Sequence, residues 1–164
     1  MAERAGHDLR SVSGEQRDLS LRAEAESAGS VLRAARVSVT ADLAHPPLPA
    51  EVETVLSAVL REAVTNILRH STARHCAISA WTDGEADGGV VRLRVRNDGA
   101  RRAEARRGSS GLGNLTTRLA TLDGRLTTGV EDGWFQLDAR VAYRTLDPAR
   151  LGGDPDGVGA VARV

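Results

Sequence analysis

The chain has 164 residues, enough for one domain and little more. Apolar residues make up 41% and aromatic residues only 2%, so a core can form but must be built from Leu, Val, Ile and Ala. Its 22 basic residues, all of them Arg, balance 22 acidic ones; this excludes a global pull toward nucleic acid or an anionic membrane and excludes any lysine chemistry.

Residues 1–18 are polar, show no clear period and lack the apolar centre of a signal peptide. No apolar stretch in the chain approaches the roughly 18 residues that span a bilayer. The chain therefore reads as soluble and cytosolic, with no membrane contact. Residues 20–34 are expected to form a helix, with Ser20 as N-cap and apolar positions at Leu21, Ala25, Ala28, Val31 and Leu32. Residues 36–41 alternate as a strand does. His45-Pro46-Pro47-Leu48-Pro49 is a stiff connector that forbids helix before Pro49 or Ala50.

A long helix is expected over 50–70, its broad apolar face carrying Val52, Val55, Leu56, Val59, Leu60, Ala63, Val64 and Ile67. Strands are expected at 76–81 and 90–96, joined by a turn-rich segment. The one cysteine, Cys76, cannot form an internal disulfide and reads as a small core residue of the first of these strands. Asn97-Asp98-Gly99 and a charged loop at 100–107 come next, and Gly108 to Gly113 opens a helix over about 114–122. Asp123-Gly124 leads to two last strands, 125–130 and 134–142, with a turn at Asp132-Gly133. The Gly-, Asp-, Pro- and Ala-rich end, 144–164, is expected to be a disordered tail. Few helices and strands paired as hairpins favour an α/β sandwich with helices on one face of a mixed sheet.

Three segments carry candidate chemistry. At about 100° per residue, Glu62, Asn66 and Arg69 fall within an arc of roughly 60° on one flank of the long helix, between core and solvent. An amide oxygen can coordinate a hard cation, a guanidinium can bind phosphate, and a carboxylate can act on a nearby proton. The same spacing also describes an ordinary amphipathic helix with a solvated flank. Asp98 ends a strand, where it could accept from an exocyclic amine, and Gly99 permits close approach of a flat base. Asn-Asp-Gly is also a common turn. The glycines of 108–113 stand before a helix, whose free N–H groups and dipole suit phosphate, although a flexible loop has the same composition. Without lysine this is no P-loop.

In this order the segments resemble the Bergerat-type ATPase fold shared by histidine kinases, gyrase and the mismatch-repair ATPases. The match is with histidine kinases whose partners are NarL-type response regulators. Their N box resembles Arg61-Glu62-Ala63-Val64-Thr65-Asn66-Ile67-Leu68-Arg69-His70-Ser71, their first glycine box Asn97-Asp98-Gly99, and their second Ser109 to Arg118. The resemblance covers about residues 9–142 and implies a two-layer α/β sandwich. It implies a linker from dimerisation helices at 1–18, an ATPase domain at 19–143, and ATP with Mg²⁺ as cofactors. Asn66 would ligate Mg²⁺, Glu62 would be the N-box acid, and Arg69 and His70 would lie at the phosphates. Asp98 would hold the adenine amine with Gly99 beneath the ring. Gly111, Leu112 and Gly113 would shape the phosphate end, and 100–110 would form a short lid. Ser109 stands where the group has the box's first glycine, with Gly108 one place earlier, which leaves single lid positions open.

The implied activity is phosphoryl transfer from Mg-ATP to a histidine. That histidine would lie on a dimerisation domain, with a NarL-type response regulator downstream. None of His7, His45, His70 and His75 suits the acceptor: His7 adjoins the linker, His45 precedes two prolines, His70 is in the N box and His75 borders a strand. The acceptor is therefore expected on another domain or chain. A stand-alone serine kinase of the anti-sigma-factor type and a non-catalytic ATP-binding regulator are the alternatives. The arginines of 101–107 are interrupted by Glu104 and lack stacking aromatics, which reads as a solvated lid rather than a nucleic-acid module.

Overall fold

A computed structural model describes residues 20–85, 88–99 and 110–144. The linker expected at 1–18, most of the lid expected at 100–110 and nearly all of the tail expected at 144–164 lie outside these residues. In chain order the elements are α1 (Leu21–Ala34), β1 (Ser38–Ala44), α2 (Ala50–His70), β2 (His75–Glu85), β3 (Gly88–Asn97), α3 (Ser110–Ala120), β4 (Arg125–Glu131) and β5 (Trp134–Arg144). The strands form one sheet in the order β1-β2-β3-β5-β4. Only β1 and β2 run parallel; the other pairings are antiparallel.

Helix α1 starts where Ser20 caps it, its Oγ accepting from the Ala23 N–H at 3.1 Å. Its buried residues Leu21, Ala25, Ala28 and Leu32 recur at helical spacing. Helix α2 supplies a second cap, because Glu53 accepts the Leu21 N–H at 2.5 Å. An ion pair between Arg61 and Glu24 ties the same two helices one face further along. The helix is terminated just past its Ala35 cap by Arg36, whose φ of 64° is left-handed, with the Val37 N–H returning to the Leu32 carbonyl at 2.9 Å. Residues 36 and 37 are thus the helix exit, and β1 begins two residues later than the alternation suggests.

Helix α2 buries Val52, Val55, Leu56, Val59, Leu60, Ala63, Val64 and Ile67. It carries Glu51 and Glu53 in its first turn and Arg69 and His70 in its last, which complements the helix dipole at both ends. Side chains alternate across the sheet. Cys76, Ile78 and Ala80 of β2, Val91, Leu93 and Val95 of β3, and Leu137, Ala139 and Val141 of β5 face the helices and are buried. The core is aliphatic, with Tyr143 buried at its edge and Phe135 packed against it. Ala77, Ser79 and Trp81 point the other way, and the register sets Arg92, Arg94 and Arg96 beside them.

Several strands run past the sequence expectation, β1 among them, which continues to Ala44. The hairpin β2–β3 stays paired as far as Glu85 and Gly88, and β5 continues to Arg144 because Gly88 and Gly89 remain as its partners. The β4–β5 turn is the expected two-residue loop, with positive φ at Asp132 (50°) and Gly133 (79°), the conformation that matches strand twist.

The packing distinguishes two leucines on α2. Leu60→Ala, at a fully buried position, should lower unfolding free energy by about 2–5 kcal/mol in urea titration. Leu68→Ala, at a position 43% exposed, should change it by no more than about 0.5 kcal/mol.

Candidate functional site

The last three turns of α2 present a polar flank beside its apolar stripe. Glu62 and Asn66 are half-buried there, while Arg69 and His70 are exposed in the final turn. This is the arc expected from helical period. Its depth, graded from half-buried acid to exposed base, comes from packing.

Helix α3 docks its first turn on that flank. A Cβ built at Gly111 would lie 2.4 Å from Glu62 Oε1 and 2.7 Å from Oε2. The Glu62 carboxylate therefore occupies the space that any side chain at 111 would need. Nothing lies within 4 Å of a Cβ at Gly113, so that glycine answers no steric demand among the described residues. The helix begins at Ser110, four residues earlier than its periodicity suggests, so Gly111, Leu112 and Gly113 belong to its first turn. Backbone N–H groups in a first turn have no carbonyl partner within their own helix and can meet an anion.

The Asn97-Asp98-Gly99 turn closes on the chain that leaves α2. Asp98 Oδ1 accepts from the Arg74 N–H at 2.7 Å and the His75 N–H at 2.9 Å, and Oδ2 meets His75 Nδ1 at 2.8 Å. Burial pushes the Asp98 carboxyl up, but the His75 ring, the two N–H groups and the His75 charge outweigh it. The carboxyl is held below its ordinary value of 3.8. A carboxylate offers about four acceptor positions, so about one remains after these three contacts. Gly99 has a φ of 69°, and a Cβ there would lie 2.7 Å from the Thr72 carbonyl carbon and 2.9 Å from the Ala73 nitrogen. Only glycine fits.

In the sequence Asn97 reads as a turn residue; in the fold it belongs to the strand. It is the last residue of β3, buried to 2% and on the helix-facing side of the sheet with Val95 and Leu93. Its Nδ2 donates to the Asp98 carbonyl at 2.7 Å. The signal available beforehand was strand alternation, which puts 97 in phase with 91, 93 and 95. Cys76 is buried opposite Asn97 in the register, and burial, with the Asp98 charge adding, pushes its thiol up to about 12. It is the small buried core residue expected from the sequence, and its raised pKa keeps the thiol inert.

The N-box flank and the α3 first turn thus meet at Glu62 and Gly111, and the Asp98 turn lies against residues 72–75, just beyond the end of α2. All nine sequence-selected residues, Glu62, Asn66, Arg69, His70, Asp98, Gly99, Gly111, Leu112 and Gly113, lie on these three segments.

Known structures share this fold. The histidine kinase domain of the blue-light activated histidine kinase from Erythrobacter litoralis EL346 superposes with a TM-score of 0.55 at 14% identity, over 74% of this chain and 60% of that one. The Acinetobacter baumannii histidine kinase AdeS superposes with a TM-score of 0.55 at 17% identity, over 77% and 66%. The fold is therefore that of histidine kinase catalytic domains. At the sequence level, the chain is a homologue of the sensor histidine kinase YvfT of Bacillus subtilis (strain 168), 33% identical over 81 residues. That match takes in 49% of this chain and 21% of that kinase's length. No family model matches the chain.

Because the folded-state pKa of Asp98 lies below its ordinary value, its stabilising contribution is complete above that value. It is lost as pH falls through the lowered one. Asp98→Asn should therefore melt below wild type at about pH 7, and in thermal melts the gap should narrow as pH falls below the ordinary carboxyl value of 3.8. Gly113→Ala should keep or raise stability in urea titration, by up to about 1 kcal/mol, since it removes a glycine from a helix, whereas Gly111→Ala should be less stable than Gly113→Ala because its Cβ must push the Glu62 carboxylate aside. Only Gly111→Ala should displace Glu62, seen as a shift of the Glu62 side-chain resonances in NMR spectra.

Proposed function

We propose that this chain is the ATP-binding catalytic domain of a two-component sensor histidine kinase, acting in the cytoplasm. It would transfer the γ-phosphoryl group of Mg-ATP to a histidine carried by a dimerisation domain on another domain or chain. A response regulator of the NarL type would take the phosphoryl group onward. Among the described residues no helix is long and apolar enough to cross a membrane. The observation that carries the reading is the seating of the Glu62 carboxylate beneath Gly111, which joins the N-box helix to the first turn of α3.

The donor set fits a magnesium polyphosphate. Asn66, half-buried beside that junction, offers an amide oxygen to a hard cation. The bound cation would supply charge neutralisation on the phosphate oxygens. Arg69 and His70 lie one turn further on, where a guanidinium and an imidazole can meet phosphate oxygens. The first turn of α3, where Gly113 leaves the backbone bare, suits the approach of the phosphate chain. At the other end, Asp98 keeps about one acceptor position for the exocyclic amine of adenine, with Gly99 beside it. Asn97 adds a buried carboxamide at the same strand end. Glu62 is placed to polarise the incoming nucleophile or a water. Catalysis would then come mainly from positioning and electrostatics rather than covalent chemistry.

Calorimetric titration with ADP and ATP, with and without Mg²⁺, tests the reading. Wild type should bind adenine nucleotides more tightly with Mg²⁺ than without, and should prefer ATP to GTP. Asn66→Ala should weaken the Mg²⁺-dependent binding by about tenfold or more with an unchanged melting temperature. Equal affinity for ATP and GTP, or no binding at all, would overturn the proposal. With a histidine-bearing dimerisation domain added, the labelled product should be acid-labile; an acid-stable product would point instead to a serine acceptor.

A further inference from the structure

The sheet face turned away from the helices carries a second, chemically distinct feature. A cavity of about 340 Å³ opens there, lined by Arg92, Arg94, Arg125 and Arg140 with Asp138 among them. The register explains its charge. Arg92 of β3 lies directly opposite Arg140 of β5, and Arg140 lies directly opposite Arg125 of β4. Three guanidiniums thus stand in one row across three strands, an arrangement in which like charges repel and destabilise the sheet.

The neighbouring carboxylates leave this row only partly neutralised. Arg92 pairs with Asp83 at 2.5 Å, and Arg94 pairs with Asp138 at 2.7 Å. Arg125 and Arg140 have no carboxylate partner among the described residues. The geometry points to an anion-binding site on this face, separate from the α2–α3 junction, that takes a compact polyanion of the pyrophosphate type. A concave pocket near the lower end of the small-ligand range, about 300–1,000 Å³, favours a small ligand over a protein surface. Planar guanidiniums converging from three strands match the several oxygens of a phosphate chain, each able to accept two parallel N–H bonds. The bound anion would relieve the cross-strand repulsion.

Both tryptophans of the chain report on this face. Trp81 is the register partner of Arg92 and has the Arg94 guanidinium 5.3 Å from its ring centre; Trp134 has that of Arg96 at 5.4 Å. Tryptophan emission of the full chain should therefore change saturably on titration with inorganic pyrophosphate. Sodium chloride at matched ionic strength should not reproduce the change. Arg140→Gln and Arg125→Gln should each raise the half-saturating concentration by about tenfold or more, with melting temperatures equal to or above wild type. Asp98→Asn and Gly111→Ala should leave the response intact, because they lie on the other side of the sheet edge, at the candidate nucleotide site. This holds whether or not that site binds ATP. A response that chloride reproduces, that survives both arginine substitutions, or that disappears in Asp98→Asn would overturn the assignment. So would tighter binding of a hexaglutamate peptide than of pyrophosphate, which would make the face a docking surface for acidic protein.

Discussion

Everything in this domain depends on how α2 lies on the sheet. Its apolar stripe, from Val52 to Ile67, must leave water, and the buried residues of β2, β3 and β5 provide the surface that receives it. Once that stripe is down, helical period leaves no freedom for the flank beside it. Glu62 and Asn66 are held half-buried at the rim because Ala63 and Ile67 are buried next to them. The candidate chemistry is thus positioned by burial of carbon, and the polar groups follow.

Two further contacts close the rim, and in each a carboxylate meets backbone. Asp98 draws the start of β2 against the end of β3 by accepting from consecutive N–H groups, and Gly99 lets that turn press onto residues 72 and 73. On the opposite side the missing side chain at Gly111 makes room for the Glu62 carboxylate. These glycines act differently. Gly99 is required by a left-handed φ and backbone contact, and Gly111 by the neighbour it would strike. Gly113 meets nothing a side chain would disturb, so its absent Cβ is the one that a ligand could use.

The sheet has two faces of opposite character, built by the same alternation. Toward the helices it is aliphatic, and away from them β3 offers Arg92, Arg94 and Arg96 in succession. A chain with no net charge thereby concentrates positive charge on one surface, in rows that antiparallel pairing sets face to face. Net charge says nothing of this, because it sums over all faces.

Much was legible in the residues alone. The element order, the long helix at 50–70, the Asp132-Gly133 turn, the aliphatic core and helices on one face of a mixed sheet all follow from period, turn chemistry and composition, which are local properties. The grouping of Glu62, Asn66 and Arg69 was legible too, since it needs only the helical rotation. Tertiary structure decided what joins distant segments: that Asp98 spends most of its acceptor capacity on residues 74 and 75, that Gly111 sits on Glu62, that Asn97 faces the core, and that Arg92, Arg140 and Arg125 share a row. Strand register and helix docking bring together residues tens of positions apart. No periodicity within either segment encodes that distance, because it is set only when the two buried surfaces meet.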